Sequence, residues 1–104
     1  MKYQDALSLM NFLKLKCPYR TGNLMASIQA PQGTEKEWII VIGNDDTSIN
    51  GTASNKYASL LNFEKTIKGY RNKHYQWVNK AIKEWMLTNG FLNLTTEVDT
   101  DDQL

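Results

Sequence analysis

Trp38-Ile39-Ile40-Val41-Ile42-Gly43 is the stretch on which the fold class turns. Its residues are β-branched or aromatic almost without a break, which suits a half-buried, pleated strand. Upstream, Leu24, Ala26, Ile28 and Ala30 alternate with Met25, Ser27 and Gln29, so a second strand with one buried face is expected over 24–30. Pro31-Gln32-Gly33 interrupts that run. The two runs together read as a β-hairpin with a loop over Gln32 to Glu35.

Helical spacing lies on both sides of this hairpin. Over 3–16, Tyr3, Ala6, Leu7, Met10 and Leu13 follow the i, i+3, i+4, i+7 rule, with Gln4, Ser8, Asn11 and Lys14 opposite. Leu9, Phe12 and Leu15 widen the stripe toward a second surface. Pro18 stops the helix, because the residue before a proline is driven out of the helical region. A turn-rich joint follows at 18–24, where Thr21 is placed to cap a short helical turn through Asn23 and Leu24. A second helix is expected over Asn72 to Thr88, with Tyr75, Val78, Ile82, Trp85 and Met86 on its apolar side and Asn89-Gly90 as its stop. Trp77 is expected to cover an adjoining element or subunit.

Between these elements, 44–55 is built of Asn, Asp, Ser, Thr and Gly and reads as a polar loop of unusual length. Tyr57 to Phe63 is a short apolar segment, either a strand or one to two helical turns, and Gly69 marks a break. Phe91 to Val98 alternates weakly and is a candidate edge strand. This order predicts an α+β fold, a small antiparallel sheet with two amphipathic helices packed on one face. One domain over 1–98 and an acidic tail over 99–104 are expected.

A chain of 104 residues suits a single domain, and 41% hydrophobic residues, with 3 Trp, 5 Tyr and 3 Phe, supply one modest core. Its mean hydropathy of -0.50 is that of an ordinary soluble protein. Net charge is +1, yet residues 56–84 hold seven basic groups against Glu64 and Glu84 alone. The tail reverses the sign with Glu97, Asp99, Asp101 and Asp102. Such a split describes a solvated helix face beside a terminal tail, or electrostatic docking to a neighbouring subunit or to DNA phosphates. Cys17 is alone, so an intrachain disulfide is excluded and a reducing compartment fits. No run reaches the length of a membrane span and no apolar leader follows Met1, so synthesis in the cytosol is expected. The triplets Asn50-Gly51-Thr52 and Asn93-Leu94-Thr95 then read as chance matches to a glycosylation signal.

Catalysis requires a nucleophile, an acid or base, or a metal, grouped in space. His74 is the one histidine, with no second ligand type at a useful spacing, and reads as an exposed polar residue. Asp45 and Asp46 are adjacent but sit in a turn-forming loop that lacks the alternating acids of a calcium loop. No phosphate-binding glycine motif occurs. An enzyme is therefore not expected, and no cofactor or metal is implied. Tyr70, His74, Tyr75 and Trp77 interleave with Lys68, Arg71, Lys73 and Lys80, a mixture that stacks on single-stranded nucleic acid in some proteins and lines a core in others.

Two stretches carry a family resemblance. Pro18-Tyr19-Arg20-Thr21-Gly22-Asn23-Leu24-Met25-Ala26-Ser27-Ile28 resembles the P-x-x-T-G-x-L-x-x-S-I signature of the head–tail joining and tail-completion proteins of siphovirus-type bacteriophages. These are small neck subunits, also described as minor capsid proteins. Tyr57-Ala58-Ser59-Leu60-Leu61-Asn62-Phe63 is similar to that family's second motif, and a helix with aromatic and basic residues follows in both. Order and spacing agree over 1–88. The chain departs after the Tyr-Ala pair, where the family shows Glu and then Gly-Thr. Here Asn62 replaces the Glu, and Phe63-Glu64-Lys65 has no Gly-Thr.

The resemblance implies a structural virion protein, synthesised in the host cytoplasm and placed at the head–tail junction. It would form a homo-oligomeric, six-fold ring around the DNA channel, in contact with other neck and tail proteins and without a membrane. Pro18, Thr21, Gly22, Leu24, Ile28, Tyr57 and Ala58 would then be the assembly motif. Asp45, Asp46, Asn50 and Gly51 would lie in a loop reaching a neighbouring subunit, and Lys65, Lys68, Arg71, Lys73 and Lys80 would face acidic partners or DNA. A ring held by that basic surface should weaken as ionic strength rises. One alternative is a small nucleic-acid-binding module using 65–80, which predicts DNA affinity in the isolated domain with a steep salt dependence. Another is a host-encoded protein–protein adaptor. Gene neighbourhood separates them, since a neck gene lies beside capsid and tail genes.

Overall fold

A computed structural model describes residues 1–18, 22–43 and 54–99, with the side chains of 23, 54–57 and 60 outside that description. Helix α1 spans Tyr3–Lys16. Its first turn is closed by Asp5, whose carboxylate accepts the N–H of Lys2 at 3.0 Å, and Lys14 and Lys16 meet the negative end of the dipole. The buried face is Ala6, Leu9, Met10 and Leu13. The expected stripe is therefore rotated: Leu9 belongs to the core, Tyr3 is 41% exposed, and Leu15 at 76% exposure points to solvent.

Helix α4, Trp77–Asn89, packs along α1. Trp77, Val78, Ala81 and Trp85 are its buried residues. The Trp85 indole N–H donates to Ser8 Oγ at 3.1 Å, tying the two helices together. Trp77 is only 6% exposed and fills the chain's own core, so of the two expected roles it covers adjoining elements; its indole N–H has no acceptor among the described residues. The helix stops as the sequence predicts. Gly90 is left-handed at φ 78, and its N–H returns to the Met86 carbonyl.

Its start differs from the expectation by five residues. Residues 73–76 form turns, and Gln76, at φ 58, leads the chain into α4. The segment after Gly90 is likewise not an edge strand. Phe91 stacks on Trp85 with ring centroids 5.1 Å apart, and this contact lays 91–98 beside α4, away from any sheet edge.

The joint after Pro18 holds a short helix, α2 (Asn23–Ala26), so the helical turn expected at 23–24 runs on through the first residues of the expected strand. Leu24 and Ile28 are both buried while Ala26 and Ala30 are exposed. A spacing of four places two residues on one side of a helical turn as well as on one face of a strand, and here the turn prevails. The Ala26 N–H donates to the Gly22 carbonyl at 3.0 Å and closes that turn.

The hairpin is present but shifted. Strands β1 (Gln32–Thr34) and β2 (Glu37–Ile39) pair antiparallel around a two-residue turn at Glu35-Lys36, so Gln32 and Gly33 lie within the ladder and not in a loop. Pairing resumes at Ile28↔Ile42, with four residue steps on one side against three on the other. That extra residue is a bulge beside Pro31, which has no N–H for the ladder. Trp38, Ile40 and Ile42 turn inward, leaving Ile39 and Val41 on the outer face. Trp38 anchors the hairpin to the start of α1, its indole N–H donating to the Met1 carbonyl at 2.7 Å.

Tyr57–Phe63 resolves as helix, within α3 (Ser54–Phe63). A second hairpin follows, β3 (Thr66–Ile67) and β4 (Tyr70–Arg71), closed by Lys68 and Gly69 at φ 52 and 82. Two positive φ angles match the right-handed twist of the flanking strands, which explains the glycine at 69. The fold class is α+β, as expected. The strands divide between two two-stranded sheets, and the core is made by helix packing on helix: Leu9, Met10, Leu13, Leu24, Ile28, Ala58, Leu61, Val78, Ala81 and both buried tryptophans.

Candidate functional site

The site is built where α3 ends and α4 begins, and two asparagines frame it. Asn62 is 2% exposed on the inner side of α3. Its Oδ1 accepts the N–H of Val78 at 2.9 Å, its Nδ2 donates to Asn79 Oδ1 at 3.0 Å, and its carbonyl accepts the N–H of Gln76 at 2.8 Å. Gln76 supplies no side-chain cap, so Asn62 satisfies an orphan donor of α4 from a different element. Asn72 does the same for the hairpin. Its Nδ2 donates to the carbonyls of Leu61 and Glu64, both at 2.7 Å, and its Oδ1 accepts the His74 N–H at 2.9 Å.

This frame brings four cations around one hollow of about 280 Å3, lined by Lys65, Arg71, Asn72, Lys73, Tyr75 and Lys80. Lys65, Arg71, Lys73 and Lys80 are exposed, and Tyr75 is half-buried. The Lys65 Nζ lies 6.0 Å from the centroid of the Tyr75 ring, at the outer limit of a cation–π contact. Among the described residues the ion pair is Lys16 with Glu84, at 3.5 Å, and none of the four cations has a carboxylate partner. Helix α4 has no acidic residue in its first turn. The positive end of its dipole therefore adds to the lysines and is not offset by them. His74 reports the same field. Burial first, and the Lys73 charge second, hold its imidazole below the ordinary 6.5.

No family model, no curated protein and no solved structure matches this chain.

Of the basic residues expected to share a surface, Lys65, Arg71, Lys73 and Lys80 meet at the hollow, while Lys68 sits in the β3–β4 turn. Of the residues expected to form an assembly motif, Pro18, Leu24, Ile28 and Ala58 are buried, and Gly22, at φ 79, opens α2. Tyr57 lies in α3. Thr21, and Asp45, Asp46, Asn50 and Gly51, fall outside the described residues. The two motif segments meet, because α2 packs against α3. No group of three or more His, Cys, Asp or Glu able to hold a metal occurs among the described residues, and no described helix is long and apolar enough to cross a membrane. Cys17 is partly buried, and its thiol is pushed up to about 11 by that burial.

Sequence reasoning found the cations and missed the frame. Asn62 was visible only as a departure from a motif, and Asn72 as a helix start. The available signal was a polar residue inside an apolar run, Leu60-Leu61-Asn62-Phe63, where a buried amide must find partners.

Proposed function

We propose that the chain is a structural subunit of a long-tailed phage particle at the neck, where copies join or complete the tail around the DNA channel. The observation that carries this reading is the contact between α2 and α3. It unites the Pro18–Ile28 signature with the Tyr57–Phe63 motif, and Leu24, Ile28, Ala58 and Leu61 share one core. Both motifs act as a scaffold that fixes how the hairpin and the α4 end are presented.

Apolar surface left open supports association. Ile39 is 53% exposed and Val41 39% on the outer face of the first hairpin. Ile82, Met86, Leu87, Leu92 and Val98 line a second hollow of about 370 Å3 between α4 and the segment after it. Leu87 and Leu92 there are 61% and 64% exposed. A small domain gains stability by covering such surface, and a stable contact needs roughly 800 Å2 on each partner. Copies of the chain and adjoining neck and tail proteins are the partners we assign, in a six-fold ring within the virion.

Native mass spectrometry and negative-stain microscopy, on the chain alone and with purified tails, test this. A ring, or addition to tail ends, is the expected result. A chain that stays monomeric at every concentration and is missing from purified particles overturns it.

A further inference from the structure

We propose that the hollow formed by Lys65, Arg71, Lys73, Lys80 and Tyr75 seats a backbone phosphate of a nucleic acid. This goes beyond the neck assignment and does not depend on it. Four cations converge on one space of about 280 Å3, and none has a carboxylate partner among the described residues. Holding like charges together costs free energy that an anion would recover. The end of α4 that adjoins them is the positive end of its dipole, again without an acidic residue.

The geometry favours phosphate over a carboxylate. A single carboxylate is matched by one guanidinium, whereas phosphate oxygens accept from an Arg fork and from several ammonium groups at once. The frame is also preorganised. Asn72, which lines the hollow, has its amide fully engaged by Leu61, Glu64 and His74, so the backbone carrying Arg71 and Lys73 is fixed before any ligand arrives. The half-buried Tyr75 ring forms one wall, an apolar surface of the kind that bases and sugars rest on. One such seat on a monomer gives weak binding with a shallow salt dependence, of about one phosphate.

The test is an NMR titration of the full chain with a short single-stranded thymidine oligonucleotide and, separately, with inorganic phosphate at matched ionic strength. Both should shift the amides of Lys73, His74, Tyr75 and Lys80. The paired substitution Arg71→Glu and Lys73→Glu should weaken oligonucleotide binding about ten-fold or more, since charge-assisted contacts are lost. Both side chains are exposed, so the fold should persist, which circular dichroism checks. Lys36→Glu, at the turn of the first hairpin, should leave binding unchanged. Shifts confined to other residues, or wild-type affinity in the paired variant, overturn the proposal. So does a response to phosphate without one to the oligonucleotide. A polyglutamate peptide that competes as well as phosphate also overturns it, making the hollow a seat for an acidic protein segment.

Discussion

The Oδ1 of Asn62 accepts the N–H of Val78 at 2.9 Å across a sequence separation of 16, so the first turn of α4 is capped by a side chain from α3. Because Asn62 is 2% exposed, water cannot replace it.

Asn62→Leu should therefore cost about 1–3 kcal/mol, the usual penalty for orphaning a buried donor. For a domain of this size that is a fall of several degrees in Tm, roughly 4–8 °C per kcal/mol. Thermal unfolding followed by circular dichroism reads it. An unchanged midpoint would show that the cap contributes nothing.

Leu13, 2% exposed, is fully enclosed in the core. Leu13→Ala should lower stability by about 2–5 kcal/mol through lost burial and a residual cavity. Leu15→Ala, one residue pair further on and 76% exposed, should change little in the monomer. Urea unfolding of the two variants should separate them clearly.

Glycines at 33 and 90 both have positive φ, but their surroundings differ. A Cβ on Gly33 would collide with the Glu37 carbonyl oxygen across the β1–β2 ladder, whereas one on Gly90 meets nothing within 4 Å. Gly90→Ala should cost only the left-handed backbone penalty, about 1–2 kcal/mol. Gly33→Ala should open the hairpin and remove amide-exchange protection at Ile39, the ladder partner of Gln32. Retained protection at Ile39 would count against this register.

His74 gives the pH dependence its sign. Its imidazole is held below 6.5 by burial and then by Lys73, so the unfolded chain takes up that proton more readily than the folded one. Above 6.5 the residue contributes nothing to pH dependence. As pH falls through 6.5 stability declines, until the folded imidazole is protonated as well, and the loss is constant from there. In an NMR titration Lys73→Gln should raise the His74 midpoint yet leave it under 6.5, because burial is the larger cause. No movement would remove Lys73 from the field at this site.

Locally determined features were legible in the sequence. The limits of α1 follow from periodicity and Pro18, and the end of α4 follows from Gly90, whose backbone freedom no distant contact decides. Leu24 and Ile28 misled because their spacing satisfies both a strand and a helical turn, and only the Gly22 to Ala26 hydrogen bond settles which forms. The start of α4 was placed too early because Asn72 spends its amide on Leu61 and Glu64 and its side-chain oxygen on His74, holding 73–76 in turns. Those partners are tertiary and leave no periodic trace. The cations of the hollow were legible as a composition bias, but the separation of Lys68 from the other four depends on a hairpin too short to announce itself.

The extra residue beside Pro31 bears on how this polypeptide avoids runaway polymerisation. An uninterrupted ladder from Ser27 to Gly43 would offer a long straight rim of open amides, a template for endless stacking of copies as in a fibril. The jog breaks that rim into two short pieces out of step with each other. In the ring we propose, copies would then meet through side-chain shape and charge, contacts that can close on themselves at a finite copy number.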